Sequence, residues 1–401
     1  MTPIERKIEE ILEEIICIRR DFHTNPELSE YEVRTAQKIS EYLTAWEIPH
    51  QTGVAGNGIV ALLQGKKVQD EAKRFQTIGI RADMDALPIQ EAVDVPFRSV
   101  KSGVMHACGH DIHTAILLGT ARIFKELEED LTGNVKFFFQ PSEETVGGAE
   151  RMIQEGCMEN PKVDVVIGLH VAPEIPVGCI EFCKGKMNAA STEFKIWVEG
   201  IECHGAHPET GIDPIVAASH IVCALQSIVS RNTSPTQPTV ITVAQFHAGK
   251  KNNIIPKEAV LSGIIRTLNM KSRTFLKKRV EELAVLCAES FGAKARVQFT
   301  DSYPVLINDE EIESILEKAA RQFLPKNKIL HCSEPSMGAD DFSYFSRVAK
   351  TVYFNIGTLS EGESVPQRVH SAHFNPDEQC IEVGMTMEIL GTLELLSQKK
   401  K

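Results

Sequence analysis

Apolar positions near the start of the chain recur at Ile8, Ile11, Leu12, Ile15 and Ile16. That 3.6-residue period predicts an amphipathic helix over residues 3–20. The pattern then shifts to short apolar runs that each end in polar residues. Residues 77–81 run into Asp83 and Asp85, residues 135–139 into Pro141-Ser142-Glu143-Glu144, and residues 163–169 into His170. Helical stretches lie between them, notably over 113–127. Buried strands alternating with helices predict an α/β layer around a mixed, largely parallel sheet. In such sheets the ligand crevice lies beyond the carboxyl ends of the strands. The acids and histidines just named fall there.

The middle of the chain changes period. Residues 191–199 alternate, with Phe194, Ile196 and Val198 on one face. A helix is expected over 213–230, strands over 239–246 and 259–266, a helix over 272–291 and a strand over 294–300. This β-α-β-β-α-β order is that of a ferredoxin-like module of about 110 residues. Inserted into a larger domain, it reads as a lid or an oligomerisation unit. Helix 310–323, strand 351–356 and helix 380–396 then return to the first domain. The expected chain is bilobal, with a discontinuous catalytic domain of residues 1–186 and 300–401 and a lid/dimerisation domain of 187–299.

Composition narrows the function classes. A chain of 401 residues is long enough for about two domains. Its formal charge of −12 argues against a phosphate-tracking surface and hence against nucleic acid as partner. No uninterrupted run of about 18 apolar residues is evident, so no membrane span is expected. The first residues lead into a charged amphipathic helix and not a signal-peptide core, so a cytoplasmic location is expected. Ten cysteines lie scattered without a CxxC pair and are expected to be thiols, most of them core residues.

The densest chemistry is Met105-His106-Ala107-Cys108-Gly109-His110-Asp111-Ile112-His113. Thiolate and neutral imidazole suit borderline metals such as zinc, and Gly109 permits a tight turn that lets Cys108 and His110 converge. Asp111 is placed to cap the following helix. Adjacent carboxylates at Glu143-Glu144 can divide the work, one ligating metal and the other acting as general base. With His170 and His370 the set is Cys108, His110, Glu144, His170 and His370. Five ligands are too many for one tetrahedral site and suit two metals with one bridging ligand. There is no HExxH helix, GxSxG elbow, GxxxxGK[ST] loop or GxGxxG turn. Reading Cys108 as a nucleophile with His110 as its base leaves His170 and His370 idle.

The chain resembles the metallo-amidohydrolases that include aminoacylases, hippurate hydrolases, auxin-conjugate hydrolases and certain carboxypeptidases. The resemblance runs nearly end to end, through Arg19-Arg20-Asp21-Phe22-His23, Arg81-Ala82-Asp83-Met84-Asp85, the Cys108 segment, Gln140-Pro141-Ser142-Glu143-Glu144, Gly168-Leu169-His170, His204-Gly205-Ala206, Asn253-Ile254-Ile255-Pro256, Ile265-Arg266-Thr267, Met337-Gly338-Ala339-Asp340-Asp341 and His370-Ser371. It implies that Cys108, His110, Glu144, His170 and His370 bind two divalent metal ions, zinc or manganese, with Cys108 bridging. It implies Glu143 as general base, and His204 as an oxyanion partner reaching a neighbouring subunit. Arg266 and Asn253 would hold the substrate carboxylate, and Asp83 and Asp85 would orient the ligands. The implied partners are a small-molecule N-acyl amino acid and further copies of the chain, as a homodimer or homotetramer through the lid. Three positions depart from the family pattern. Glu209 stands where a histidine is frequent after the proline, Cys203 where glycine is frequent, and His373 where other residues are common. All three lie where an acyl or side-chain pocket is expected. Rival readings are a metallo-carboxypeptidase or dipeptidase with the same chemistry, and a non-catalytic amino-acid or metal-binding protein. A thiolate at Cys108 also suggests sensitivity to oxidation.

Overall fold

The computed structural model describes residues 3–67, 73–362 and 365–400. It forms two compact units. The first comprises Met1–Met187, Ile307–Glu334 and Tyr344–Lys401, and the second Asn188–Leu306 with Pro335–Ser343.

The first unit is built on an eight-stranded sheet. Its spatial order is His50–Val54, Gly58–Gln64, Asn134–Gln140, Thr77–Asp83, Val165–Pro176, Lys350–Leu359, Ile180–Phe182 and Ile329–His331. The middle four are mutually parallel. Thr77–Asp83 and Asn134–Gln140 are buried along their whole lengths. Ile78, Ile80, Val135, Phe137, Phe138 and Phe139 supply their apolar core, and Arg81 and Lys136 are buried among them. Helices Pro3–Thr24, His110–Glu126 and Cys380–Ser397 pack on one another around Ile15, Ile116, Phe124 and Met385, all fully buried.

Two elements differ from the sequence expectation in ways that shape the site. The helix expected from 113 begins at His110, so a candidate ligand occupies its first turn. The strand expected to stop at His170 continues to Pro176. Its ladder with Thr77–Asp83 nonetheless ends at Arg81↔Gly168, while its other edge stays paired with Lys350–Leu359. The sheet therefore opens on one side of His170, at the carboxyl end of Thr77–Asp83.

The second unit is a four-stranded antiparallel sheet in the order Thr239–Ala248, Glu258–Thr267, Ala190–Glu199, Lys294–Asp301. Helices Pro214–Ser227 and Met270–Ser290 pack on it through Ala217, Ile221, Leu225, Leu276 and Val280. Both start at side-chain caps: Asp213 Oδ1 accepts from Ile215 N at 2.8 Å and Asn269 Oδ1 from Lys271 N at 2.9 Å. The order of elements is β-α-β-β-α-β. This unit extends past residue 299, since Asp301 still pairs with Thr192. It also recruits Pro335–Ser343, where Gly338 O accepts from Ala189 N at 2.8 Å. That stretch has no periodic signal that could have assigned it in advance.

One compositional expectation is corrected. Cys183 and Cys332 form a disulfide, so not all ten cysteines are thiols. The two residues follow Phe182 and His331, register partners on neighbouring parallel strands, and the sequence carries no trace of that adjacency. The stretch Pro214–Asn232 is, by length and a mean hydropathy of 1.3, apolar enough to cross a membrane, the one such helix among the described residues. It contains His220, Gln226 and Ser227 and so shows no unbroken apolar run. Part of its surface is spent on the sheet beneath it.

Candidate metal centre

Gly109 creates the turn between the first two candidate ligands. Its φ of +89° is left-handed, and a Cβ there would lie 2.5 Å from Val171 Cγ2, so the position favours glycine on both counts. His110 follows at the helix start and is fully buried. Its Nδ1 lies 3.1 Å from Asp85 Oδ1. Asp85 Oδ2 meanwhile accepts from Ser29 Oγ at 2.6 Å and from Glu144 N at 3.0 Å. Asp85 thus ties one ligand's ring to another ligand's backbone. Such a pairing keeps a proton on Nδ1 and leaves Nε2 as the ring nitrogen available to a metal. That Nε2 is buried without a hydrogen-bond partner, 4.0 Å from Glu144 Oε1.

The other ligands arrive from separate elements. His170 Nδ1 donates to Val171 O at 2.7 Å, which turns Nε2 toward Cys108 Sγ at 3.4 Å. His370 sits in a left-handed residue, φ +62°, whose N donates to Ala107 O at 2.7 Å. Its Nε2 lies 3.1 Å from Glu144 Oε1. Ser142, at φ +60°, reverses the chain just before Glu143. The buried Glu32 carboxylate steadies that turn by accepting from Ser142 N at 2.8 Å.

These atoms form two triads with mutual distances within 4.8 Å, Cys108–His110–His170 and Cys108–Glu144–His370. Cys108 belongs to both, as a bridging ligand must. A third group, His110–Glu143–Glu144, brings the candidate base to the same place. Burial, reinforced by the Glu144, Glu143 and Asp83 carboxylates, pushes the Cys108 thiol well above its ordinary pKa. Burial opposes a charge on His110, but Asp83 and Asp85 outweigh it and lift its pKa to about 10. The pocket is therefore anionic and attracts cations. A divalent ion would take the orphaned Nε2 in place of the proton and draw the thiolate out of Cys108. The residues present fit a pair of divalent ions.

Comparison with known proteins agrees with this geometry. The profile of the family described as Peptidase family M20/M25/M40 matches residues 79–388. The chain belongs to this family. The M20 chain is 37% identical over 385 residues to thermostable carboxypeptidase 2 of Saccharolobus solfataricus, covering 95% of each. It is 37% identical over 332 residues to N-acetyl-L-cysteine deacetylase of Bacillus subtilis, covering 83% of this chain and 77% of that one. The crystal structure of Bacillus subtilis YXEP, described as a dinuclear metal binding peptidase from the M20 family, superposes with a TM-score of 0.80 at 31% identity, covering 96% and 99%. The protein is accordingly a metal-binding hydrolase of amide bonds.

The remaining candidates of the M20 chain lie in the second unit. His204 and Asn253 meet there: Ile254 pairs with His204, and Gly205 N donates to Asn253 O at 2.8 Å. His204 Nδ1 accepts from Ala206 N at 3.0 Å, which puts its proton on the exposed Nε2. Arg266 stands on the half-buried face of strand Glu258–Thr267, and its Nη1 is buried with no hydrogen-bond partner.

Asp111 does not cap its helix. Gly109 holds the cap position, and the buried Asp111 Oδ2 meets Arg19 Nε and His23 Nδ1, each at 2.8 Å. His23 Nε2 also reaches Glu91 Oε1 at 3.2 Å. This network behind the Cys108 turn was not foreseen, since its members are scattered between residues 19 and 111. The Arg19–His23 spacing of one helical turn, on a helix otherwise apolar along that face, was the available signal.

Proposed function

We propose that this chain is a metal-dependent amidohydrolase of the aminoacylase or hippurate-hydrolase type. It cleaves N-acetyl, N-benzoyl or similar N-acyl amino acids to a carboxylic acid and a free amino acid. The observation that carries the reading is the pair of triads sharing Cys108, with the Glu143 carboxylate grouped against His110 and Glu144. Zinc or manganese would be held by Cys108, His110, Glu144, His170 and His370. When bound, two such ions supply Lewis acidity and lower the pKa of water towards ~7. Glu143 takes the proton of the attacking water and returns it to the leaving amine. His204 offers Nε2–H to the developing oxyanion. The unpaired Arg266 fork, with Asn253, binds the free carboxylate. The relative named N-acetyl-L-cysteine deacetylase supports an acyl amino acid as substrate. The one named thermostable carboxypeptidase supports the second reading, a metallo-carboxypeptidase or dipeptidase.

A homodimer or homotetramer through the second unit is part of the proposal. Exposed Ile215 and Val216 on one helix, and Phe246 on the edge strand, support such a contact. An active monomer in solution would remove it. A cytoplasmic location is also proposed, and the Cys183–Cys332 bond is the observation that stands against it.

The test is hydrolysis of N-acetyl and N-benzoyl amino acids, with dipeptides alongside, before chelation, after chelation and after zinc or manganese is restored. Loss and recovery with metal are expected, with acyl amino acids the faster substrates. Faster dipeptides select the second reading, and turnover indifferent to chelation sinks both. Glu143→Ala should keep both metals while turnover falls by roughly 1,000-fold or more.

A further inference from the structure

His113 is fully buried on the helix that begins with His110 and belongs to neither triad that contains Cys108. Both of its ring nitrogens are already engaged. Nε2 accepts from the backbone N of Val171 at 3.1 Å. An amide N–H can only donate, so Nε2 carries a lone pair and the ring proton sits on Nδ1. There it faces Asp83 Oδ1 at 2.6 Å. His113 has no lone pair left for a metal.

What His113 holds is more telling. Val171 follows His170 on a strand whose ladder with Thr77–Asp83 has already ended at Gly168. Its N–H is met by an imidazole and not by a strand carbonyl on that opened side. Val171 O is the acceptor for His170 Nδ1 at 2.7 Å, the contact that leaves His170 Nε2 bare beside Cys108 Sγ. Its side chain packs where a Cβ on Gly109 would lie, against the turn that carries Cys108 and His110. One residue thus aims His170 with its carbonyl and braces Cys108 with its side chain. His113 fixes that residue from the other side.

We propose that His113 is a positioning residue. Held by Asp83, it pins Val171 so that His170 and Cys108 are preorganised for a shared metal ion. The inference rests on the dinuclear reading of the site. Partners of this kind typically change metal affinity 10–100-fold when lost.

Two substitutions separate positioning from simple filling of the core. In His113→Gln the side-chain oxygen can take the place of Nε2 and accept from Val171, while the pairing to Asp83 is sacrificed. In His113→Asn the amide can reproduce the Nδ1 donor to Asp83 but is too short to reach Val171. Zinc affinity is read by competition with a chromophoric chelator, and the cobalt-substituted protein is read by its absorption spectrum. His113→Gln should stay within about 3-fold of the parent, and His113→Asn should lose on the order of 10–100-fold at one of its two sites with an altered cobalt spectrum. Equal affinity in both variants, or equal loss in both, overturns the proposal. A parent protein that binds two ions while the variants behave alike sinks the positioning role alone. A parent that binds none sinks the dinuclear reading first. A measurement on the parent keeps the test independent of variant folding. The ¹⁵N shifts of His113 should show the Nδ1–H tautomer, and the Nε2–H tautomer would overturn the arrangement.

Discussion

Glu388 shows how a single side chain couples this fold to pH. It lies buried on helix Cys380–Ser397, where its Oε2 accepts from Thr120 Oγ1 at 2.7 Å. Burial, only partly offset by that hydrogen bond, raises its pKa from 4.5 to about 8. Between those values the folded chain holds a proton that the unfolded chain releases. Stability is therefore complete below about pH 4.5 and declines as pH rises towards 8. At pH 7 the cost is roughly 3 kcal/mol, from about 1.4 kcal/mol per pKa unit. Glu388→Gln keeps the acceptor and has no charge to lose. Its melting temperature should match the parent at pH 4.5 and exceed it by several degrees at pH 7.5. Parallel curves for the two proteins would disprove the argument. Nothing in the sequence marks Glu388, because a glutamate in a helix ordinarily reads as solvated. Cys108, Glu143, Glu144, His170 and His370 were legible because each stands beside a glycine, at the end of an apolar run or in a polar loop.

At the scale of elements, periodicity located strands and helices well and failed where backbone contacts alone set an end. Strands Thr77–Asp83 and Asn134–Gln140 were evident from Ile78, Ile80, Val135, Phe137, Phe138 and Phe139, although the buried Arg81 and Lys136 interrupt both apolar patterns. Strand Val165–Pro176 was cut short at His170 because a polar side chain interrupts the run. Only the neighbouring strand's departure explains why histidine is tolerated there. The start of helix His110–Glu126 was missed because its cap is a left-handed glycine and not a side chain. That junction carries a prediction of its own. Gly109→Ala places a Cβ 2.5 Å from Val171 Cγ2 in a φ that alanine disfavours by roughly 1–2 kcal/mol. The turn must open, and Cys108 and His110 part. Metal analysis should find less than two ions per chain, with turnover down on the order of 100-fold, while circular dichroism stays close to the parent's. Full metal content with normal turnover would show that the turn relaxes without cost.

At the scale of the whole molecule, the bond between Cys183 and Cys332 raises the question of how the chain is tied together. The bond closes a loop of 149 residues in sequence, and the segment Asn188–Leu306 lies inside it. Both cysteines belong to the first unit, on adjacent parallel strands where Cys332 N donates to Phe182 O at 2.9 Å. Joining the strands there makes the first unit's closure independent of whether the inserted segment is folded. By loop entropy such a cross-link disfavours the unfolded chain by about 5 kcal/mol, less any strain it introduces. Cys332→Ser should therefore lower the melting temperature by several degrees in non-reducing buffer. With a strong reductant the parent should fall to the level of the variant. If parent and variant melt together in both buffers, and thiol titration of the denatured parent counts ten free cysteines, the pair is reduced in the working protein. That outcome would restore the all-thiol expectation and favour the cytoplasmic location. A difference confined to non-reducing buffer would instead point to a chain that matures where disulfides persist.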